Sequence, residues 1–258
     1  LLTWKATYHQ KYLDATLLLE GRGRHDFKGC TYCESPDPLY RCIDCHGHWL
    51  YCAECIVERH RSEPLHLLER WTDDDYFEKC TLWALGLRIQ LGHPRTVACP
   101  LVKRGHVDFV VIHVNGIHLV DVDFCGCPGS LDNFEQLLDV GWWPSSPLEP
   151  QTATTFPLLR LFHNLNLQGC IPPTDFYRAL EQLHNAEGLV RLPDRLQQFM
   201  LTVREWRHIR MAKRAGRGND PGGLNTTAQG ELAIPCRSCP HPHINLPQGW
   251  EDAPSNTQ

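Results

Sequence analysis

The stretch YRCIDCHGHWLYCAEC, residues 40–55, contains two C-x2-C pairs separated by six residues. A further C-x2-C pair, Cys30 and Cys33, lies upstream, and His60 and His66 follow downstream. Two residues between cysteines allow one turn of chain to direct both sulfurs at one metal ion. The surrounding segment has few aliphatic residues, so we expect bound metal to replace an apolar core there. One structural zinc contributes about 10 kcal/mol to such a small module.

The eight candidate ligands form four pairs, which is enough for two tetrahedral zinc sites. The short gaps let pairs alternate between two ions, as in the cross-braced B-box and RING class. The predicted sets are Cys30, Cys33, Cys52 and Cys55 for one ion, and Cys42, Cys45, His60 and His66 for the other. Two alternatives stay open: a single zinc with incidental thiols, and His46 or His48 as substitute ligands. Because protein groups would fill every position, we expect structural metals rather than catalytic ones.

Two weaker metal candidates lie further along the chain. The first would bring together residues on both sides of a predicted hairpin, namely His93, Cys99, Cys125 and Cys127, and would hold a third ion. Free buried cysteines are the competing interpretation. The second is CRSCPHPH, with Cys236, Cys239, His241 and His243. Its four groups are crowded for one ion, and a half-site completed by another segment is the alternative.

Composition places the chain among ordinary globular proteins. It has 258 residues, of which 42% are apolar and 21% charged, and its net charge is −5. We therefore expect any nucleic-acid binding to be local. No apolar run approaches the roughly 20 residues of a membrane span, and no signal peptide opens the chain. The first residue is Leu1, so we expect a piece of a longer product. Cysteine pairs with trailing histidines indicate a reducing compartment with thiolates held by zinc.

The sequence predicts an α+β fold, in which a small cross-braced double-zinc module and a β-hairpin precede a mainly helical half. Helices are predicted at the N-terminus, from an N-cap at Thr72 to Gly86, and over about 152–168, 174–185 and 192–215. Asn115-Gly116 predicts a type I′ hairpin turn within DFVVIHVNGIHLVDVDFC. The proline-rich stretch at 141–156 is predicted to be an ordered loop. The expected domains are an N-terminal helix (1–27), the cysteine cluster (28–70), a helix plus hairpin completing it (71–130), and a helical region (131–258).

Basic residues recur in REWRHIRMAKRAGR, residues 204–217. They fall within half of the helix circumference, and they are Arg204, Arg207, Arg210, Lys213, Arg214 and Arg217. Such a face could follow a phosphate backbone, so DNA is a candidate partner; a solvated helix face is the alternative.

Asp121 and Asp123 alternate on a predicted strand and could bind one Mg²⁺, as in metal-dependent nucleases, or simply face solvent. No phosphate-binding loop, dinucleotide fingerprint or serine-hydrolase motif occurs in the sequence. We therefore find no enzymatic constellation and no small-molecule substrate.

Short segments along the chain carry a family resemblance. They are YLDATLLLEGRG, PLHLLERW, LGLRIQLGH, GIHLVDVDFCGC, GWWPSSPLEPQTATTF, LFHNLNLQG, DFYRALEQL, REWRHIRMAKRAGRG and GELAIPCRSCPHPHINLPQGWEDAP. In this order they resemble the CxC-like cysteine cluster domain, second class, associated with KDZ transposases of fungi. The resemblance extends over nearly the whole chain and includes the ligand pattern at residues 30–66. CRSCPHPH departs from the family's usual CPxCP form.

The resemblance implies a DNA transposon product, in which the zinc cluster accompanies a DDE-type transposase with an RNase H-like catalytic domain. The family's first catalytic aspartate is expected shortly after the last of these segments, and the sequence stops at Gln258 without it. We therefore expect a non-catalytic, zinc-binding portion of a transposase, located in the nucleus, that contributes DNA or protein contacts to the remainder. The alternative, based on ligand spacing alone, is a B-box- or RING-like protein-interaction or ubiquitin-ligase module.

Overall fold

The structure is a computed structural model that describes residues 1–23, 29–36, 38–184, 193–234, 236–242, 244–246 and 248–252. Within these ranges the fold is α+β, as predicted. The chain divides into two compact units, Leu1–Val203 and Arg204–Gln258. No helix in the described ranges is both long and apolar enough to cross a membrane.

Helices and strands are numbered in chain order. The helices are α1 (Leu2–Thr7), α2 (His9–Glu20), α3 (Ala53–Arg59), α4 (Asn133–Asp139), α5 (Phe156–Gly169), α6 (Pro173–His184) and α7 (Leu196–Arg214). The strands are β1 (Tyr40–Cys42), β2 (Leu68–Trp71), β3 (Phe77–Cys80), β4 (Arg88–Gln90), β5 (Val102–Arg104), β6 (Phe109–His113), β7 (Gly116–Cys125), β8 (Trp142–Pro144) and β9 (Thr152–Thr155). Short 3₁₀ turns follow at Arg217–Asn219, Gly223–Thr226 and Trp250–Asp252.

The N-terminal segment is helical, as predicted, but it consists of two helices that meet at Tyr8. Neither helix contains a buried residue. Gly21 ends α2 in an extended conformation, with φ −94° and ψ −160°. Residues 24–27 of the predicted helical segment lie outside the described ranges.

The predicted helix from Thr72 to Gly86 is wrong. Strands β1, β2 and β3 form an antiparallel sheet in which Trp71 pairs with Phe77 across a tight loop. Thr72 closes this loop, because its N–H and its hydroxyl both donate to the carbonyl oxygen of Tyr76. Asp75 takes a left-handed conformation (φ 61°), which aspartate tolerates better than most residues. The aspartates therefore form a polar hairpin loop instead of a first helical turn.

The larger sheet has six strands in the order β4-β7-β6-β9-β8, with β5 pairing to β7 as well. The predicted hairpin is present as β6 and β7, but His113 pairs with Gly116. The two-residue loop is therefore 114–115, one position earlier than predicted. The side chain of Asn115 leaves the turn and donates to the carbonyl oxygen of Leu65 at 2.9 Å. A tertiary contact thus fixes the turn in place of the local Asn-Gly preference.

The sheet continues into the segment that was expected to be helical. Strands β8 and β9 flank the proline-rich loop and pair with each other, and β9 pairs with β6 in parallel. Residues 152–155 are therefore strand, which suits their β-branched threonines, and α5 begins only at Phe156. α6 ends at His184 with residue 185 outside the described ranges, and α7 begins at Leu196 instead of 192. The core between sheet and helices is apolar; its members include Phe109, Val111, Val122 and Leu137.

Candidate metal centres

Metal site 1 consists of Cys30, Cys33, Cys52 and Cys55. Cys30 opens a turn in which its N–H donates to the carbonyl oxygen of Ser35 at 2.7 Å. Cys52 is the N-cap of α3 and Cys55 lies in its first turn. The sulfurs of Cys33 and Cys52 are 3.7 Å apart, which joins the turn to the helix. These are the first and third pairs of the sequence, in the predicted combination.

Metal site 2 consists of Cys42, Cys45, His60 and His66. Cys42 ends β1, and its sulfur accepts a hydrogen bond from the N–H of Cys45 at 3.3 Å. Nδ1 of His60 lies 2.7 Å from the carbonyl oxygen of Ile56, so Nδ1 carries the proton and Nε2 faces Cys45 at 3.4 Å. His66 faces Cys42 and Cys45 through Nδ1, at 3.5 and 3.4 Å. The ring of His60 therefore presents an unprotonated nitrogen to the site.

Helix α3 connects the two sites. Its N-terminal end supplies Cys52 and Cys55 to site 1, and its C-cap, His60, belongs to site 2. Ile56, on the same helix, is fully buried in a small core with Leu68 and Leu82. The alternation of pairs is thus a cross-brace around one short helix. His46 and His48, the alternative ligands, are exposed and belong to neither site.

Metal site 3 brings together His93, Cys99, Cys125 and Cys127, the first of the weaker candidates. Cys125 ends β7, and the N–H of Cys127 donates to its sulfur at 3.4 Å. Nε2 of His93 lies 3.2 Å from the sulfur of Cys125 and 3.5 Å from that of Cys127. The sulfurs of Cys99 and Cys127 are 3.9 Å apart. The end of the long strand therefore meets two loops at one point.

Two glutamines that the sequence pattern did not reveal hold site 3 in position. Buried Gln136 accepts from the N–H of Cys125 at 2.8 Å and donates to the carbonyl oxygens of Cys125 and Leu131. Gln90 accepts from the N–H of Cys99 at 2.8 Å. Gln90 lies between Ile89 and Leu91, and a polar residue between two apolar ones is the sequence signal that could have indicated it; Gln136, next to Glu135, has no such signal.

The close packing of the His93 loop against the end of β7 requires a glycine at position 92. Its φ is +75°, and a Cβ added there would lie 2.5 Å from Cβ of Cys125. Such a contact is too short for any side chain, so only glycine lets the loop approach the end of β7.

The three donor sets fit a tetrahedral metal ion. In each site the four ligand atoms lie within 4.8 Å of one another. Around an ion with metal–sulfur bonds of about 2.3 Å, two sulfurs are about 3.8 Å apart and a sulfur and a nitrogen about 3.5 Å. The sulfur–sulfur distances of 3.7 and 3.9 Å agree with these values, as do the sulfur–nitrogen distances of 3.2 to 3.5 Å. Each site could therefore hold a metal ion with four protein ligands.

The metal-free sites differ in the proton affinity of their sulfurs. Burial of Cys30 raises its pKa, but hydrogen bonds from the backbone of Cys33, Cys52 and Tyr32 outweigh this and lower the value to about 6. A hydrogen bond from the backbone of Cys127 lowers the pKa of Cys125 to about 7. In site 2, burial raises the pKa of Cys42 to about 12. Sites 1 and 3 thus each contain one sulfur that is readily ionised near neutral pH. Cys42 loses its proton only when an ion binds, and the same holds for Cys55 of site 1 and Cys127 of site 3, whose pKa values are raised by burial and by a hydrogen bond with Cys125, respectively.

The C-terminal candidate differs from the other three sites. Cys236 and Cys239 are exposed, and Nε2 of His241 lies 2.7 Å from the backbone oxygen of Cys236. His243 lies outside the described residues. Among the described residues of this segment, no three ligand atoms from His, Cys, Asp or Glu come together.

The basic stripe is shorter than predicted. α7 ends at Arg214, and Arg217 lies beyond it in a 3₁₀ turn, where it forms an ion pair with Asp220 at 2.9 Å. Arg207 is only partly exposed. The exposed basic residues of the helix are Arg204, Arg210, Lys213 and Arg214.

Asp121 and Asp123 form ion pairs rather than a candidate metal site. Arg88 donates to Asp121 at 2.7 Å and to both carboxylate oxygens of Asp123 at 2.6 and 2.9 Å. The two carboxylates share a face of β7, as predicted, but a guanidinium neutralises them. The nuclease interpretation of this pair is therefore not supported by its surroundings.

Site 3, its glutamines and the six-stranded sheet lie in one continuous part of the chain. Residues 82–188 match the family model described as CxC2-like cysteine cluster associated with KDZ transposases. The resemblance to this family is thereby confirmed for this segment, which is less than half of the chain and does not include the ligands of sites 1 and 2. No curated protein and no solved structure matches the chain.

Proposed function

We propose that this protein is a zinc-binding, non-catalytic portion of a KDZ-type transposase of fungal transposon origin. The observation that carries the proposal is that the described residues contain three four-ligand clusters, one of which lies within the segment matched by the family model. Four protein ligands leave no open position for water or substrate, so the metals stabilise the fold rather than perform chemistry.

Zinc is the ion that suits these donors best. The sets are four sulfurs, two sulfurs with two nitrogens, and three sulfurs with one nitrogen. Tetrahedral thiolate and imidazole sets of this kind favour zinc, whereas Mg²⁺ and Ca²⁺ favour oxygen ligands. We propose one zinc in each site.

Within the transposase, the portion would contribute contacts to DNA or to the remainder of the protein, in the nucleus. The net charge of −5 means that attraction to DNA must be local. The four exposed basic residues of α7 supply a local positive surface that could contact phosphates.

A mobility-shift assay on the zinc-loaded chain tests the DNA part of the proposal. We expect DNA affinity that falls steeply with salt, and a large loss of affinity when Arg204, Arg210, Lys213 and Arg214 are all changed to Gln. The matched control changes four exposed basic residues elsewhere to Gln, namely Lys103, Arg104, Arg160 and Arg178. Absence of salt-sensitive binding, or an equal loss in the control, would contradict the DNA role.

The cross-brace of sites 1 and 2 favours one other candidate, a B-box- or RING-like interaction or ubiquitin-ligase module. This class also alternates its ligand pairs between two ions. Discharge of ubiquitin from a charged conjugating enzyme would support it, and absence of both discharge and enzyme binding would exclude it. This candidate is based only on the ligand spacing of sites 1 and 2. The ligands of site 3 and the segment matched by the family model lie elsewhere in the chain.

A further inference from the structure

The two N-terminal helices, α1 and α2, together form an apolar arm. Its eight large apolar side chains are 39% to 86% exposed; they are Leu2, Trp4, Tyr8, Tyr12, Leu13, Leu17, Leu18 and Leu19. They are distributed around the helix, which is typical of a helix that is buried on several sides. So many exposed large apolar side chains on one segment mark an interaction site.

The two helices of the arm are joined at Tyr8. The N–H of Tyr8 donates to the carbonyl oxygen of Trp4 at 2.8 Å, and the N–H of Tyr12 donates to that of Tyr8 at 3.0 Å. Each helix therefore keeps its hydrogen bonds up to Tyr8, and the rings of Trp4 and Tyr12, whose centroids are 5.7 Å apart, make a contact that spans the junction. At 1.5 Å per residue, the arm is about 28 Å long.

Arg41 attaches the arm to the zinc module. Its guanidinium donates to the carbonyl oxygens of Leu19 at 2.7 Å and Gly21 at 3.0 Å, where the helix dipole is negative. The same side chain is buried, forms an ion pair with Glu69 at 2.6 Å and lies 3.6 Å from the ring centroid of Phe77. The arm is thus held in one direction with its apolar side chains exposed.

We propose that the arm pairs with the arm of a second copy of this chain, in antiparallel orientation. The charges on the arm favour this partner. Lys5 and Lys11 lie in its first half, and Asp14 and Glu20 in its second half. In an antiparallel pair Lys5 lies opposite Glu20 and Lys11 opposite Asp14, whereas a parallel pair in register places like charges side by side.

A groove beside the arm supports the same register. A cavity of about 400 Å³ lies between α2 and the zinc module, and its apolar walls include Leu18, Leu19, Leu50 and Phe77. In the antiparallel register Trp4 of the second copy lies opposite Gly21, which also lines this cavity. An indole fits such a pocket and supplies the buried aromatic anchor that stable interfaces use.

The area of the arm suits a dimer. Eight half-exposed apolar side chains per copy provide on the order of several hundred Å² of apolar surface, approaching the roughly 800 Å² per partner of a standard interface. A pair of arms therefore covers side chains that each chain alone leaves in water.

Charge-reversal variants of the zinc-loaded chain test the proposal, and sedimentation velocity measures their association. We expect the unaltered chain to have twice the 29.6 kDa mass of one copy. Two double variants reverse the charges of one half of the arm; they are Lys5→Glu with Lys11→Glu, and Asp14→Lys with Glu20→Lys. We expect each of them to raise the dimer dissociation constant about tenfold or more, because every opposed pair becomes repulsive. The variant with all four changes regains the native constant, and a mixture of the two double variants forms a heterodimer.

The control variant changes two exposed aspartates away from the arm, Asp73→Lys with Asp74→Lys, and retains the native dimer. All four substituted positions of the arm are exposed, so circular dichroism is expected to show an unchanged fold. A monomeric native chain overturns the proposal. A dissociation constant that neither double variant changes also overturns it, as does the absence of a heterodimer when the two double variants are mixed.

Discussion

Cys55 lies in the first turn of α3 and His60, five residues later, is the C-cap of the same helix, yet the two side chains face different metal sites. Cys55 belongs to site 1 with the upstream pair, and His60 belongs to site 2, its ring fixed by the carbonyl oxygen of Ile56 at 2.7 Å. Binding at one site therefore orders the helix that supplies a ligand to the other. Site 3 has no ligand on this helix.

This arrangement predicts coupling between sites 1 and 2. Cys55→Ser removes zinc from site 1 and increases zinc loss from site 2 about tenfold, because α3 is no longer held at its first turn. Cys127→Ser removes zinc from site 3 and leaves sites 1 and 2 unchanged. The rate of zinc transfer to a coloured chelator, followed over time for both variants, measures the zinc loss from each site. Equal effects of the two variants on site 2 would contradict the coupling.

Gly92→Ala is expected to destabilise the protein by about 2–4 kcal/mol and to release zinc from site 3. The new Cβ would lie 2.5 Å from Cβ of Cys125, and the positive φ adds strain. The matched control is Gly129→Ala, where φ is +78° but no atom lies within 4 Å of the new Cβ. We expect the control to cost only about 1 kcal/mol. Denaturant unfolding compares the two, and equal costs would show that the close approach at site 3 is unimportant.

Gln136→Leu is expected to weaken zinc binding at site 3 by about 10- to 100-fold, as is typical when a group that orients metal ligands is lost. The change leaves the N–H and the carbonyl oxygen of Cys125 without their buried partner. Gln197→Leu, at an exposed position of α7, serves as the control. Competition with a chelator of known affinity gives the zinc dissociation constants. A site 3 constant unchanged in Gln136→Leu would remove the positioning role.

Zinc affinity at site 2 is expected to fall as pH falls. Burial raises the pKa of the metal-free Cys42 thiol to about 12, so binding an ion at neutral pH must release its proton. A lower pH adds protons, which are a product of binding, and shifts the equilibrium toward the free metal. Burial also lowers the pKa of His60, so its ring competes for protons only in the more acidic part of the range. Chelator competition from about pH 7.5 to about pH 5.5 measures the slope; affinity that is constant or rises in acid would contradict this prediction.

The ligand alternation could be predicted because it depends on local spacing. C-x2-C pairs and the gaps between them restrict which sulfurs can reach one ion, so the eight ligands of sites 1 and 2 group as expected. Site 3 was predictable as a candidate only because a hairpin joins its parts. Gln90 and Gln136 have no spacing signature, since they act through backbone hydrogen bonds that only the folded chain brings together.

The errors in the predicted elements have a common physical cause. Thr72 followed by aspartates satisfies the rules for a helix start, but the same residues suit a polar hairpin loop, and pairing of β2 with β3 decides between them. The hairpin turn moved by one residue because Asn115 bonds to Leu65 instead of occupying a left-handed turn position. In both places tertiary contacts override a local preference.

Native mass spectrometry of the zinc-loaded chain tests the central claim most directly, because it counts the ions bound to each copy. We predict three zinc ions per chain, falling to two in Cys127→Ser. Two or fewer ions in the unaltered chain, or a count that Cys127→Ser does not change, would contradict the assignment of one zinc to each site.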